Sequence, residues 1–447
     1  MSERLATTAE AVLGRAALAS LQPHKLGKVK ASEGLMLEVS GLPLAVGTGI
    51  GIDLPGGGTV VGEVVGFRDQ RCLVLPFAAD ARLATGAAVR PKGDSNDVAC
   101  GPQLLGRIID ANGDPLDGGA PVRATMRWPL GGKPANPLTR GRVTRSFDVG
   151  VRAINALLTI GEGQRVAIVA GSGVGKSVLM GQMMAGADCD VIVVGLIGER
   201  SREVSDFVET RLPLHVRRKS VVVAVPGDHA PVLRLRAARR ATAIAEAFRA
   251  EGRRVLLLID SLTRVAHAQR EIGLALGEPP TMKGYPPSVF GLIPALVERA
   301  GIDRTSGGSI TAFYTVLADG GDVEDPVVDA ARAIVDGHII LARSMAEQGV
   351  FPAIDLSRSL SRTMADCVSP EQRSAAARFR RMWSLYEENR DLMLMGAYVA
   401  GSDAEIDEAI ARHAEQRLFI TQAAEAMIPL ATSIHDLQQG YSACPTQ

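Results

Sequence analysis

Seven residues, Gly171-Ser172-Gly173-Val174-Gly175-Lys176-Ser177, stand between an apolar run, RVAIVA, and a helix-compatible stretch, VLMGQMMAGA. Phosphate oxygens need several backbone N–H donors converging on one point, and only residues without a bulky Cβ let the main chain wrap that closely. Glycines at a strand-to-helix junction meet that need. Lys176 can then neutralise charge on β- and γ-phosphates, and the Ser177 hydroxyl suits the Mg²⁺ that accompanies them. The binding stretch runs on to Val178 in the first helical turn. One departure is visible: Ala170 stands where the strict phosphate-loop pattern has its first glycine.

A site of this kind needs a second carboxylate for the metal, and RRVLLLIDS supplies one in Asp260 at the end of an apolar run. Taken alone, Asp260 reads equally as a helix N-cap; beside the glycine loop, metal ligation is the better reading. Between these two strands lies VIVVGLIGERSREVSDF, whose strand ends at Glu199-Arg200. A carboxylate there could polarise an attacking water and the arginine could brace it. By residue type alone, a surface ion pair is an equal reading.

These residues require a scaffold that brings strand ends together. Across 150–365, RVAIVAG, DVIVVGLIGE, SVVVAVPGD, RVLLLIDS, SITAFYTVLAD and GHIILAR alternate with helical patterns. Continuous apolar strands of this type are buried on both faces, as in a parallel sheet covered by helices. The spacing predicts an α/β core over 101–365 that includes a turn-rich linker at 101–150. Short apolar runs between Gly, Pro and Asp predict a β-barrel domain over 25–100. Ser369-Pro370-Glu371-Gln372 reads as the start of a helix that runs to about Gly396, and Ser402 with Glu405 as the start of another, so 366–447 is a helical domain. Residues 1–24 predict a short amphipathic helix.

Lys plus Arg equals Asp plus Glu at 49 each, so no global field draws nucleic acid or an acidic membrane. The five cysteines lie far apart, without zinc or disulfide spacing, and predict reduced thiols in the cytosol. The N-terminus lacks the apolar core of a signal peptide, and no segment approaches the roughly 18 uninterrupted apolar residues of a membrane span. The basic run RLRAARR, Arg234 to Arg240, lacks interleaved aromatics and reads as a solvated or inter-subunit helix face rather than a polyanion site.

AGSGVGKS, GERSREV, LLLIDSLTR and FPAIDLSRSLSR stand in the order and approximate spacing of the rotary ATPase α/β family, which the chain resembles from about residue 25 onward. The glutamate at 199 makes it similar to the catalytic β-type subunit. The resemblance implies a RecA-like core, ATP and Mg²⁺, Glu199 as the water-activating carboxylate with Arg200 its neighbour, and Arg362 as an arginine finger reaching the γ-phosphate of the adjacent subunit. Finger and cradle in one chain imply a homo-oligomeric ring, most simply a hexamer. It also implies that Phe351 lies against adenine, with Tyr398 a candidate for the other face; a lone Phe is otherwise ordinary core.

DVGVRAINALLTIGEGQR, AQREIGLALGEPPTMKGYPPSVF, DGHIILARSMAEQG and GAYVAGSDAEIDEAI are similar to the type III secretion ATPases, and especially to the flagellar export branch. That implies ATP hydrolysis energising release or unfolding of export substrates from their chaperones, at the cytoplasmic mouth of a membrane export gate. A regulatory or stator protein at the N-terminal helix and a central stalk protein are the implied partners. The loop GEPPTMKGYPPSVF reads equally as a surface loop or as a channel-facing one. The alternatives are a virulence-type secretion ATPase, a hexameric RNA translocase and a non-catalytic nucleotide-binding ring subunit.

Overall fold

A computed structural model of the chain describes residues 26–78, 82–92, 96–134, 136–318 and 325–441. The amphipathic helix expected over 1–24 lies outside the described residues. The chain divides into two compact units, Met1–Asn96 and Asp97–Gln447.

In the first unit six antiparallel strands close a barrel in the order β1 (Gly27–Glu33), β2 (Met36–Ser40), β5 (Arg71–Pro76), β4 (Thr59–Arg68), β3 (Gly49–Asp53) and β6 (Ala88–Pro91). Period-two alternation turns Val29, Leu37, Val39, Ile50, Ile52, Val64, Val74 and Val89 inward as its core. Register shifts between Val29 and Ala31 and between Val64 and Gly66 bend the two strands that carry them, which helps the sheet curl. β7 (Asp97–Cys100), assigned to the barrel from sequence, instead pairs with β9 (Met126–Pro129) in the larger unit, where Val98 and Cys100 are buried.

The larger unit is built on a nine-stranded sheet ordered β19-β18-β12-β17-β15-β13-β14-β8, with β16 (Gly301–Ile302) antiparallel to β17. Its six long strands are β12 (Arg165–Ala170), β13 (Val191–Ile197), β14 (Ser220–Val225), β15 (Arg254–Asp260), β17 (Ser309–Leu317) and β18 (Gly337–Leu341). They are the six apolar runs of the sequence, they run parallel, and nearly every residue in them is buried. The linker contributes β8 (Ile108–Ile109) to one edge, and β19 (Leu360–Ser361) closes the other antiparallel to β18. A short pair, β10 (Ser146–Phe147) and β11 (Ile160–Gly161), precedes β12.

Ser369 caps the helix Pro370–Leu394 by accepting from Gln372 N at 3.2 Å. The following helix, Ala404–Ile420, is capped by Asp403 rather than Ser402, whose hydroxyl is turned back onto Val399 O. With Leu430–Tyr441 these helices share one apolar core with the sheet: Phe379 packs 5.2 Å from Phe419 and 4.8 Å from Tyr441, in the cluster that contains Ile168 and Met180.

The basic run is not a solvated face. Arg234, Arg236 and Arg240 are buried in the helix Pro231–Ala250. Arg234 donates to Glu271 at 2.7 Å and Arg240 to Ala111 O at 2.7 Å, and burial pulls the Arg240 guanidinium down to about 10. These charges are spent on holding the helix to the linker and its neighbours, which a period-only reading of an Arg-rich helix does not reveal.

The helix that follows the glycine loop ends against the chain entering the core. A Cβ on Gly186 would lie 2.5 Å from Gly150 Cα, and Gly150 itself has φ 69°. Gly186→Ala is therefore expected to cost on the order of 1–3 kcal/mol through overpacking, read as a thermal midpoint several degrees lower. Gly291→Ala, in the exposed middle of the helix Pro287–Val297 with open space around it, is expected to raise the midpoint, since alanine is the better helix former by up to about 1 kcal/mol.

Candidate active site

β12 ends at Ala170, and the loop 171–175 delivers the chain to the helix Lys176–Gly186. Gly173 and Gly175 have φ of 78° and 94°, a backbone region that L side chains rarely adopt, so the turn itself requires glycine there. Ala170, the departure from the strict pattern, is a buried strand residue in ordinary β geometry. Gly171, Ser172, Gly173, Gly175, Lys176, Ser177 and Val178 line a cavity of about 360 Å³ together with Glu199, Arg200, Asp260 and Arg264. Val174 is buried beneath the loop.

The parallel register brings the chemistry together. Leu196 of β13 is level with Asp260 of β15, so Glu199, two residues past β13, emerges beside Asp260. Lys176 Nζ donates to Asp260 Oδ1 at 2.5 Å and lies 3.5 Å from Glu199 Oε1. Thr315 Oγ1 of β17 also donates to Asp260 Oδ1, at 2.5 Å. Glu199 Oε1 is sealed from solvent and receives no hydrogen bond; its contact with Lys176 is charge attraction without hydrogen-bond geometry.

Burial first, and then the neighbouring Asp260 charge, push the Glu199 carboxyl up to about 7, against the opposing pull of Lys176. Burial disfavours the Lys176 charge, but Asp260 and Glu199 outweigh it and hold the ammonium above the ordinary lysine range. Arg200 lines the same cavity with a side chain 87% exposed, 3.6 Å from Glu203. Ser177 is exposed in the first helical turn.

Phe351 is 43% exposed and sits beside Gly175. It lines a second, largely apolar cavity of about 510 Å³ that adjoins the loop through Gly175 and Val178 and is walled on its far side by Thr421–Ala424. Tyr398 is not brought there: it lies in the turn between two C-terminal helices, with its hydroxyl donating to Asp407 at 2.9 Å. Segment 421–424 and Gln182 occupy the place that the sequence reading gave to a second ring.

Arg362 is also outside this cavity. Ser361 is level with Gly337, which is level with Val166, so Arg362 lies at the N-terminal end of β12 while the loop leaves its C-terminal end. Roughly 17 Å of strand, Arg165 to Ala170, separates them. The sequence reading passed over Arg264, whose Nε is buried without a partner and whose side chain packs under Gly198. Its signal was available: it stands one helical turn after Asp260.

Residues 150–361 match the model of the ATP synthase alpha/beta family, nucleotide-binding domain, and residues 368–439 match the T3SS EscN ATPase C-terminal domain. The flagellum-specific ATP synthase of Pseudomonas aeruginosa is 49% identical over 415 residues, 92% of each chain. The chain belongs to the ATP synthase alpha/beta family. Another relative, the type 3 secretion system ATPase of Sinorhizobium fredii, is 47% identical over 360 residues, 80% of this chain and 79% of that one. Among solved structures, the assembled ATPase EscN of the enteropathogenic E. coli type III secretion system matches with TM-score 0.87 at 39% identity, over 93% of this chain and 100% of that one. Family membership accounts for the RecA-like core with a barrel before it and helices after it.

The carboxyl of Glu199 sets a pH dependence with a definite sign. Its folded value, about 7, lies above the ordinary 4.5, so its contribution to stability is complete below pH 4.5 and is lost as pH rises through 7. Glu199→Gln, neutral at every pH, is expected to raise the thermal midpoint relative to wild type at pH 8 and to leave it nearly level at pH 5. An equal offset at both pH values contradicts the assignment.

Proposed function

We propose that this chain is the ATP hydrolase of a flagellar type III protein export apparatus, active as a homohexameric ring with sites at subunit boundaries. The observation that carries the reading is the convergence of Lys176, Asp260 and Glu199 at the mouth of a glycine-built loop.

The main-chain N–H groups of 171–177 hold the β- and γ-phosphates, and Lys176 neutralises their charge. The hydroxyl of Ser177 and the carboxylate of Asp260 are hard oxygen donors suited to Mg²⁺. Ser177 and Asp260 would hold such an ion together with the phosphates it accompanies. When bound it neutralises charge on the transferring phosphoryl group. Glu199, with a carboxyl near 7 and a place in the lining of the cavity, accepts the proton of the attacking water. Arg200, at the rim, braces that side of the cavity. Phe351 lies against the adenine.

Arg362 stands too far from its own loop to serve it, which supports a role as the finger of a neighbouring subunit. EscN is described as assembled and in complex with its central stalk, EscO, and we propose a corresponding stalk partner here. A regulatory partner at the N-terminal helix, and export substrates with their chaperones at the export gate, complete the reading. The enzyme then works in the cytoplasm, peripheral to the inner face of the membrane; no helix among the described residues is long and apolar enough to cross one.

The flagellar branch is preferred to the virulence-type branch because the flagellum-specific relative matches more of the chain at slightly higher identity. An RNA translocase is disfavoured because the arginines of the basic run are buried and used internally. ATPase activity measured against protein concentration tests the ring. Specific activity should rise steeply for wild type, while Arg362→Ala stays low by about 100-fold or more at every concentration; activity flat with dilution and indifferent to Arg362 would exclude the shared site.

A further inference from the structure

We propose that Gln182 reads the 6-position of the purine and makes this site prefer adenine over 6-oxopurine nucleotides. The proposal rests on the reading that the apolar cavity beside Phe351 receives the base.

Val178 and Gln182 are four residues apart on the helix Lys176–Gly186, so both face that cavity. Gln182 is only 3% exposed, a primary amide in a wall otherwise made largely of apolar groups and glycine. A buried amide must be satisfied, and half of this one is: Nε2 donates to Ala423 O at 2.8 Å. Because a backbone carbonyl can only accept, that contact fixes which end of the amide is which, and Oε1 is the other end. Oε1 receives no donor among the described residues, yet it is not sealed from solvent as Glu199 Oε1 and Tyr314 Oη are.

The other polar side chains of the wall are already committed. Thr421 Oγ1 gives its proton to Arg417 O at 2.7 Å. Gln422 Oε1 accepts from Arg152 N at 2.8 Å, and its Nε2 donates to Gly150 O at 2.8 Å and Ala426 O at 2.7 Å. The uncommitted side-chain amide oxygen in the cavity is therefore that of Gln182, held by the same segment that forms the far wall.

An acceptor in that position discriminates by chemistry. Adenine carries an amine at C6, which donates; guanine and hypoxanthine carry a carbonyl there, which sets lone pair against lone pair. In an apolar pocket the mismatch leaves two oxygens unpaired, the costly outcome for buried polar groups.

Calorimetric binding of ADP, inosine diphosphate and purine riboside diphosphate, which bears only hydrogen at C6, tests the assignment on the full chain with Mg²⁺. Wild type should bind ADP about tenfold more tightly than purine riboside diphosphate, the value of one hydrogen bond in such a site, and should disfavour inosine diphosphate further. In Gln182→Leu the three affinities should converge, with the loss falling on ADP. With triphosphates the loss should appear in KM more than in kcat. Gln182→Met serves if leucine does not fold, and the wild-type series decides by itself if neither does. Retained ADP preference in a folded variant, or no preference in wild type, overturns the role of Gln182 while leaving the nucleotide site intact. Failure of wild type to bind any of the three overturns the site and this proposal together.

Discussion

A lysine held between two carboxylates at the end of a buried parallel sheet is the interaction on which the rest depends. Three ionisable groups, none more than 15% exposed, share one corner of the cavity. Removing such charges from water costs several kcal/mol each, and a cluster with one cation and two anions does not recover that by mutual attraction. Burial, and after it the neighbouring Asp260 charge, is expressed as a Glu199 carboxyl at about 7. A well-packed apolar corner would serve stability better, which supports the proposed reading of the cluster as a site held in place by the sheet.

That sheet explains how such an arrangement persists. Asp260 is anchored by Thr315 from the next strand as well as by Lys176, and Glu199 is placed by a strand in register with that of Asp260. The loop is fixed by its own backbone conformation and by a helix whose far end meets Gly150 with no room for a methyl group. The cavity beside Phe351 takes one wall from the loop helix and the other from residues that follow Ala404–Ile420, and the loop helix and the C-terminal helices share one apolar core. Gln182 and Gln422 are the hydrogen-bonded ties across that junction.

Much of this was legible in the sequence because the signals were local. Six apolar runs became six parallel strands, since burial on both faces leaves little room for polar residues. The glycine loop, Ser369 and Pro370 were legible because backbone conformation and capping depend on neighbours in the chain. Most of what was missed depends on partners that residue type and local spacing do not reveal. Arginines at 234 and 240 look solvated by composition, and Glu271 and Ala111, elsewhere along the chain, account for their burial. Tyr398 resembled a base-stacking ring by type and lies instead on Asp407. Gln182 carried no motif at all; its meaning comes from Ala423, 241 residues away.

The most direct measurement of the central claim is nucleotide affinity and turnover in one preparation of Glu199→Gln. If Glu199 takes the proton of the attacking water, and the loop with Lys176 holds the phosphates, the variant should bind ATP within about threefold of wild type while turnover falls by about 100-fold or more. Turnover near the wild-type rate, or loss of binding in step with loss of turnover, would contradict that division of labour.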